Sequence, residues 1–275
     1  MHKGMVPVTE SVVVGSKGAA DIHIPRKCPL VAVWATNARM NSNHKLIPPS
    51  PQAFWLERLG AADRFSEWVM EQIAPYVAGS VLEIGCGMGT YTCLLARRAE
   101  RVTAIDIEAE FVAEVVARTA GLSNVECRQA DATQDELPAQ FDCVVMLDVL
   151  EHLPDDGAML RRLYGLLRPG GRLILKVPAH AWLFNPLDTA VGHYRRYGRG
   201  QLRRVIQASG FIKPKLWLFN RAGIAGWWLN GTILRRSRPP GGQVAGFDRM
   251  IPVLRRLERW APLPVGLSYI AISTK

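Results

Sequence analysis

The run Val81-Leu82-Glu83-Ile84-Gly85-Cys86-Gly87-Met88-Gly89-Thr90 leads an apolar segment into a loop with glycine at every second position. Glycine reaches φ > 0 without penalty and lets a ligand approach the backbone. A helix starting near Thr90 would leave its first N–H groups free at that loop. Alone, this pattern also suits dinucleotide-binding folds. Three acids sharpen it, because Asp106, Asp131 and Asp148 each fall where an expected strand ends. A carboxylate at Asp106 can accept from both hydroxyls of a ribose, Asp131 can take an adenine amine, and Asp148 falls near the point where sheet order reverses. Taken singly, each acid also reads as a turn or cap residue.

A second group of residues could act on a substrate. Asp148, Glu151 and His152 share one face if a helix starts after the fourth strand, and such a set could hold a divalent cation. The segment Leu187 to Tyr197 concentrates His193, Tyr194, Arg195, Arg196 and Tyr197 in a few positions. Arginine forks bind carboxylate or phosphate, and His193 can take a proton near neutral pH. His193, His152 and Tyr197 are the candidate catalytic groups; His152, His193, Tyr194, Arg195, Arg196 and Trp228 are the candidate substrate contacts. In the blander reading, an arginine pairs with Asp188 and the tyrosines pack.

Positioning these residues falls to alternating elements. Strands are expected at 80–84, 102–105, 125–128, 141–146 and 172–177, with helices at 90–99, 108–120 and 158–167 between them. That alternation predicts right-handed βαβ units and a parallel sheet covered on both faces. A helix at 200–208, a strand at 211–219 and a last apolar strand at 267–272 follow. Before the alternation begins, Phe65, Trp68, Val69 and Ile73 recur at helical spacing. Residues 1–52 end on Pro48-Pro49-Ser50-Pro51 and read as an extension or flap, leaving 53–275 as the main domain. Within it, 221–262 reads as a helical insertion or lid, with Trp227-Trp228, a basic turn at 235–240, and a helix carrying Met250, Val253, Leu254 and Leu257 on one face. It suits packing on the core, contact with an anionic membrane, or an oligomer interface.

Composition narrows the class. The chain has 275 residues, 48% apolar and 21% charged, with a net charge of +10, within reach of one large globular domain. A basic balance suits nucleic acid, lipid headgroups or an acidic substrate, or is only a solvated surface. The five cysteines show no CxxC spacing, which argues against a disulfide framework or zinc site and fits a reducing cytoplasm. No leader pattern and no apolar run long enough for a membrane span are visible.

Together, the glycine loop with Glu83, Asp106, Ala130-Asp131-Ala132, Asp148-Val149-Leu150-Glu151-His152 and Leu167-Arg168-Pro169-Gly170-Gly171 resemble the class I S-adenosylmethionine (SAM)-dependent methyltransferases, type 11/12 small-molecule group, over about residues 60–220. The resemblance implies an α/β, Rossmann-like, doubly wound seven-stranded sheet in the order 3-2-1-4-5-7-6, mostly parallel with an antiparallel last strand. It implies SAM as cofactor and S-adenosyl-L-homocysteine as product. Glu83 and the loop Gly85, Cys86, Gly87 and Gly89 would hold the methionine end. Asp106 would take the ribose, Ile107 would lie against adenine, Asp131 and Ala132 would meet its edge, and Leu147 and Asp148 would line the methionine side. Segments like Asp148 to His152 bind metal in some relatives and not in others, so no metal is expected, with Asp148, Glu151 and His152 as the alternative ligand set. The function expected is methyl transfer to a small anionic or amphipathic apolar metabolite, such as an isoprenoid, a lipid or quinone precursor, or a natural product. An RNA methyltransferase and a non-catalytic SAM-binding protein are the rival readings; no RNA-binding module is visible.

Overall fold

The computed structural model describes residues 62–138, 140–238, 240, 242–260 and 264–275. The expected extension at 1–52 lies outside them. Seven strands form one sheet in the order β3-β2-β1-β4-β5-β7-β6. They are β1 Ser80–Ile84, β2 Arg101–Asp106, β3 Val125–Gln129, β4 Phe141–Leu147, β5 Leu167–Pro178, β6 Ile212–Phe219 and β7 Ser268–Thr274. β1 pairs in parallel with β2 and β4, β2 with β3, and β4 with β5, whereas β7 runs antiparallel to both β5 and β6. The expected order and the antiparallel last strand are present.

The helices are α1 Asp63–Ile73, α2 Thr90–Ala96, α3 Ala109–Thr119, α4 Asp156–Leu166, α5 Pro186–Val191, α6 Arg199–Ala208, α7 Gly223–Trp227 and α8 Gln243–Trp260. A π-helical turn, Trp228–Ile233, continues α7. Strand side chains alternate between two cores, as a sheet covered on both faces requires. Leu82, Val144, Met146, Leu173 and Leu175 pack with Leu160 and Leu163 of α4 and Leu202 and Ile206 of α6. On the opposite face Val81, Cys143, Val145, Ile174 and Ile270 pack with Phe65, Val69 and Ile73 of α1 and Leu95 of α2. Among the described residues, Cys86, Cys127 and Cys143 form no disulfide.

The insertion is helical and crosses α1. Phe65 and Phe247 rings lie 6.4 Å apart, and the Phe65 N–H donates to Asp248 Oδ1 at 2.8 Å. Of the apolar residues on α8, one set turns inward and another outward. Val244, Phe247 and Ile251 meet the core, while Met250, Val253 and Leu257 are exposed. Among the described residues, no helix is long and apolar enough to cross a membrane.

Candidate active site

The cofactor side is built at the tips of β1, β2 and β4. Gly85, Gly87 and Gly89 all adopt positive φ, at 73°, 50° and 75°. A Cβ on Gly85 would lie 2.4 Å from Val149 Cγ2, so this turn admits no side chain. The Gly85 N–H and Cys86 N–H both donate to Ile105 O, at 2.9 and 3.1 Å, and stitch the loop to β2. Asp106 closes it from below, with Oδ2 accepting from Gly87 N–H at 2.9 Å and Oδ1 from Glu108 N–H at 3.1 Å. Ile107 beside it is 62% exposed, an apolar surface free to meet a flat ring.

Glu83 is buried, and its Oε2 accepts from the Thr92 hydroxyl at 2.6 Å. Burial pushes its carboxyl up to about 8, against the lowering by Thr92 and with a small push from Asp106. An ammonium placed here would relieve that penalty, which fits the amino group of a methionine moiety. Asp131 is already occupied locally: Oδ1 accepts from the Thr133 N–H at 2.8 Å and its hydroxyl at 2.6 Å, and Oδ2 from Gln134 at 2.7 Å. Those bonds hold its carboxyl below the usual range, and they make it a turn residue as well as a candidate adenine contact. Ala132 follows it and is buried.

Leu147 and Asp148 end β4. Asp148 sits at φ 55°, a left-handed conformation that a non-glycine residue holds only when neighbours enforce it. Its N–H donates to Lys176 O at 2.8 Å, and its carboxylate pairs with the buried Lys176 ammonium of β5. Asp148 also borders a cavity of about 290 Å³, close to the lower end of small-molecule sites, roughly 300 Å³. The cavity runs from the strand tips to the insertion. Apolar walls come from Phe65, Leu187, Val191, Trp227, Val244 and Phe247; its polar end holds Glu151, His152, His193 and Arg196.

That polar end is set by α5. Asn185 caps it in a capping box with Asp188, Pro186 takes the first turn, and Gly192 ends it at φ 84°. This folds the chain back, so that Asp188 receives both following side chains. His193 Nδ1 lies 2.8 Å from Asp188 Oδ1, and Arg196 Nε donates to the same carboxylate at 2.8 and 2.9 Å. Burial raises the Asp188 carboxyl, but His193 and Arg196 together hold it below the usual range. An ionised Asp188 accepts only, so Nδ1 of His193 carries the hydrogen, and in the neutral ring Nε2 is the acceptor. That Nε2 faces Glu151 Oε1 at 3.7 Å.

Glu151 is fully buried, and neither carboxyl oxygen has a hydrogen-bond partner. Burial first, then the charge of Asp148, pushes its carboxyl well above the carboxylate range, with Lys176 and Arg196 opposing. His152 packs edge-on to His193, centroids 4.7 Å apart. Burial, reinforced by His193, lowers its imidazole to about 4, so it is neutral at physiological pH. Glu151, His152 and His193 bring ligand atoms within 4.8 Å of one another. Asp148, the third member of the alternative metal set, is instead tied to Lys176.

Several expected contacts point elsewhere. Tyr197 is fully buried and its hydroxyl donates to Asp156 Oδ2 at 2.9 Å; it supports the fold rather than a reacting atom. Arg195 pairs with the same Asp156 at 3.0 Å and donates to Pro154 O at 2.7 Å, outside the cavity. Arg196 does border the cavity, but Asp188 takes its Nε donor, Ala179 O accepts from its Nη1, and the Trp227 ring, 4.6 Å away, covers its face. Tyr194 is exposed, and Trp228 is half-exposed while its neighbour Trp227 lines the wall. Sequence reasoning missed Lys176, Asn220, Trp227 and Asn230; Gly223, Gly226, Trp227 and Asn230 recur at helical spacing and mark the wall of the insertion.

A doubly wound sheet with a glycine turn at its first strand tip and acids on the neighbouring tips defines a nucleotide-binding α/β protein. Residues 82–175 match the family model described as a methyltransferase domain. Over 110 residues the chain is 37% identical to a ubiquinone biosynthesis O-methyltransferase of Pseudomonas entomophila, covering 38% of this chain and 47% of that protein. It is 33% identical over 167 residues to a probable S-adenosylmethionine-dependent methyltransferase of Mycolicibacterium smegmatis, covering 59% of this chain and 64% of that one. The chain thus spans about half the length of the Pseudomonas relatives it matches. A crystal structure of an S-adenosylmethionine-dependent methyltransferase from Mesorhizobium loti superposes with a TM-score of 0.54 at 17% identity, covering 76% of this chain and 98% of that one. Residues 82–175 thus carry the sequence pattern of a methyltransferase domain, and the fold is the one that SAM-dependent methyltransferases of known structure adopt.

Proposed function

We propose that the chain transfers the methyl group of SAM to a hydroxyl of a small, largely apolar molecule held in the cavity beside Asp148. The observation that carries this reading is the position of the cavity. It begins at the carboxylate that ends β4 and is walled by apolar side chains, with a histidine acceptor at its polar end.

SAM, when bound, supplies a methyl group on a sulfonium, already activated for in-line displacement. Glu83, the loop Gly85 to Gly89, Asp106 with Ile107, Asp131 with Ala132, and Leu147 with Asp148 form the surface proposed to hold it. The chain's remaining task is alignment and exclusion of water. His193 takes the proton of the acceptor hydroxyl on Nε2, and Asp188 stays ionised against Nδ1–H to steady the imidazolium. Glu151, whose carboxyl burial pushes upward and whose oxygens have no hydrogen-bond partner, is placed to hydrogen-bond a polar group of the acceptor. The Pseudomonas relatives are named for O-methylation in ubiquinone biosynthesis, in keeping with an oxygen nucleophile.

Because Asp156 and Asp188 satisfy Arg195 and Arg196, the acceptor is recognised by apolar fit and hydrogen bonding rather than by an arginine clamp on an anion. Asp148 is paired with Lys176, which leaves Glu151, His152 and His193 as the ligand-type groups gathered at the polar end. Transfer of labelled methyl from SAM to a panel of hydroxylated apolar acceptors tests the reading. His193→Ala should lower kcat by about 10²–10⁴-fold while SAM affinity stays unchanged. Label in no acceptor, or full turnover by His193→Ala, would refute it.

A further inference from the structure

Helix α8 has two working faces. Its inner face closes the cavity with Gln243, Val244 and Phe247. Its acids also turn inward: Asp248 accepts from the Phe65 N–H, and Glu258 pairs with Arg221 at 3.0 Å. The outward face carries Met250, Val253, Leu257 and Trp260, exposed by 55, 59, 58 and 88%. At about 100° per residue these four fall in one stripe. Arg249, Arg256 and Arg259, all exposed, border the stripe along one side. The preceding turn adds Trp228, Leu229, Ile233 and Leu234 to the exposed apolar surface of the insertion.

We propose that this face of α8 docks on an anionic phospholipid surface, with the apolar stripe in the headgroup–acyl boundary and the arginines on the phosphates. An apolar stripe ending in tryptophan and bordered by cations is the arrangement of helices that lie in that boundary. Charge decides the occupant. A two-fold dimer through the same face would set its arginines against their own copies, and no acid of α8 faces outward to pair with them. The net charge of +10 acts in the same direction. The cavity wall and the lipid-facing stripe belong to one helix, so the cavity lies about 10 Å from the membrane, one helix diameter. That corollary, delivery of a lipid-dissolved acceptor, rests on the proposed function; the docking itself does not.

Co-sedimentation of the full chain with sucrose-loaded vesicles tests it without turnover. Binding should appear with phosphatidylglycerol mixed into phosphatidylcholine, be absent with phosphatidylcholine alone, and weaken as salt rises. Arg256→Gln and Arg259→Gln should each weaken it about fivefold, and Leu257→Ser with Trp260→Ser should abolish it. All of these variants should bind the cofactor as the parent does, since the residues are exposed and remote from the strand tips. Equal sedimentation with and without anionic lipid, undiminished binding by the variants, or self-association that the Leu257→Ser change disrupts without any vesicle binding would overturn the proposal.

Discussion

The imidazole of His193 and the carboxylate of Asp188 face each other at 2.8 Å, and the same carboxylate also neutralises the buried guanidinium of Arg196. One acid thus sets the tautomer of the proposed base and holds the cavity wall. Asp188→Ala would leave Arg196 buried and unpaired, which costs about 3–5 kcal/mol. Chemical denaturation should show a loss of that size, whereas His193→Ala, which keeps the Asp188–Arg196 pair, should lose much less.

Gly85→Ala should fail on two counts. The substitution puts a Cβ against Val149 and forces φ 73° on an alanine, a strain of about 1–3 kcal/mol. Thermal unfolding should report lower stability, and calorimetry should report weaker SAM binding, because relief requires the loop to move.

Two buried groups give opposite pH trends. Glu83, raised to about 8, is protonated in the folded chain over a range where the unfolded chain has ionised it. Its contribution is therefore present below the unfolded value and is lost as pH rises through about 8. Glu83→Gln should flatten that loss in the ligand-free protein and weaken SAM binding about tenfold or more, as expected for a lost charged hydrogen bond. His152, lowered to about 4, stays neutral when folded while the unfolded chain charges. Stability should therefore fall as pH drops from the ordinary histidine value toward 4, and His152→Gln should remove that slope. Unfolding midpoints between pH 4 and 9 read both effects.

Chelation should leave methyl transfer unchanged. The proposed proton transfer runs to His193 backed by Asp188, and Asp148 is occupied by Lys176, so the proposed step calls for no divalent ion. Turnover after EDTA treatment, with and without added magnesium or zinc, decides this; loss on chelation restored by metal would contradict it.

Trp227→Ala should raise KM more than it lowers kcat. The ring lines the cavity and covers the Arg196 guanidinium, so its loss opens the apolar wall. A steady-state comparison with one apolar acceptor reads the split.

The glycine turn and the acids at the strand tips were legible because their signal is local. Strand, glycine turn and helix follow within ten residues from Val81 to Thr90, and the acids sit on consecutive strand tips. The sheet order was legible as a resemblance carried by that same motif set. The acceptor half was only half legible. Asn185, Pro186, Asp188 and Gly192 spell a capped helix with a glycine stop, but nothing local says that Arg195 turns to Asp156 while its neighbour Arg196 turns to Asp188. Which of Trp227 and Trp228 faces inward depends on how the insertion docks on α1. The apolar stripe of α8 could be read toward the core, a membrane or another copy, because apolar periodicity identifies a face without naming its partner.

Isothermal calorimetry with S-adenosyl-L-homocysteine on the full chain tests the central claim most directly. One molecule should bind per chain, and Asp106→Ala, which removes the acceptor of the Gly87 N–H, should weaken it by at least about tenfold. Absence of association with both S-adenosyl-L-homocysteine and SAM, or equal affinity in Asp106→Ala, would contradict the account.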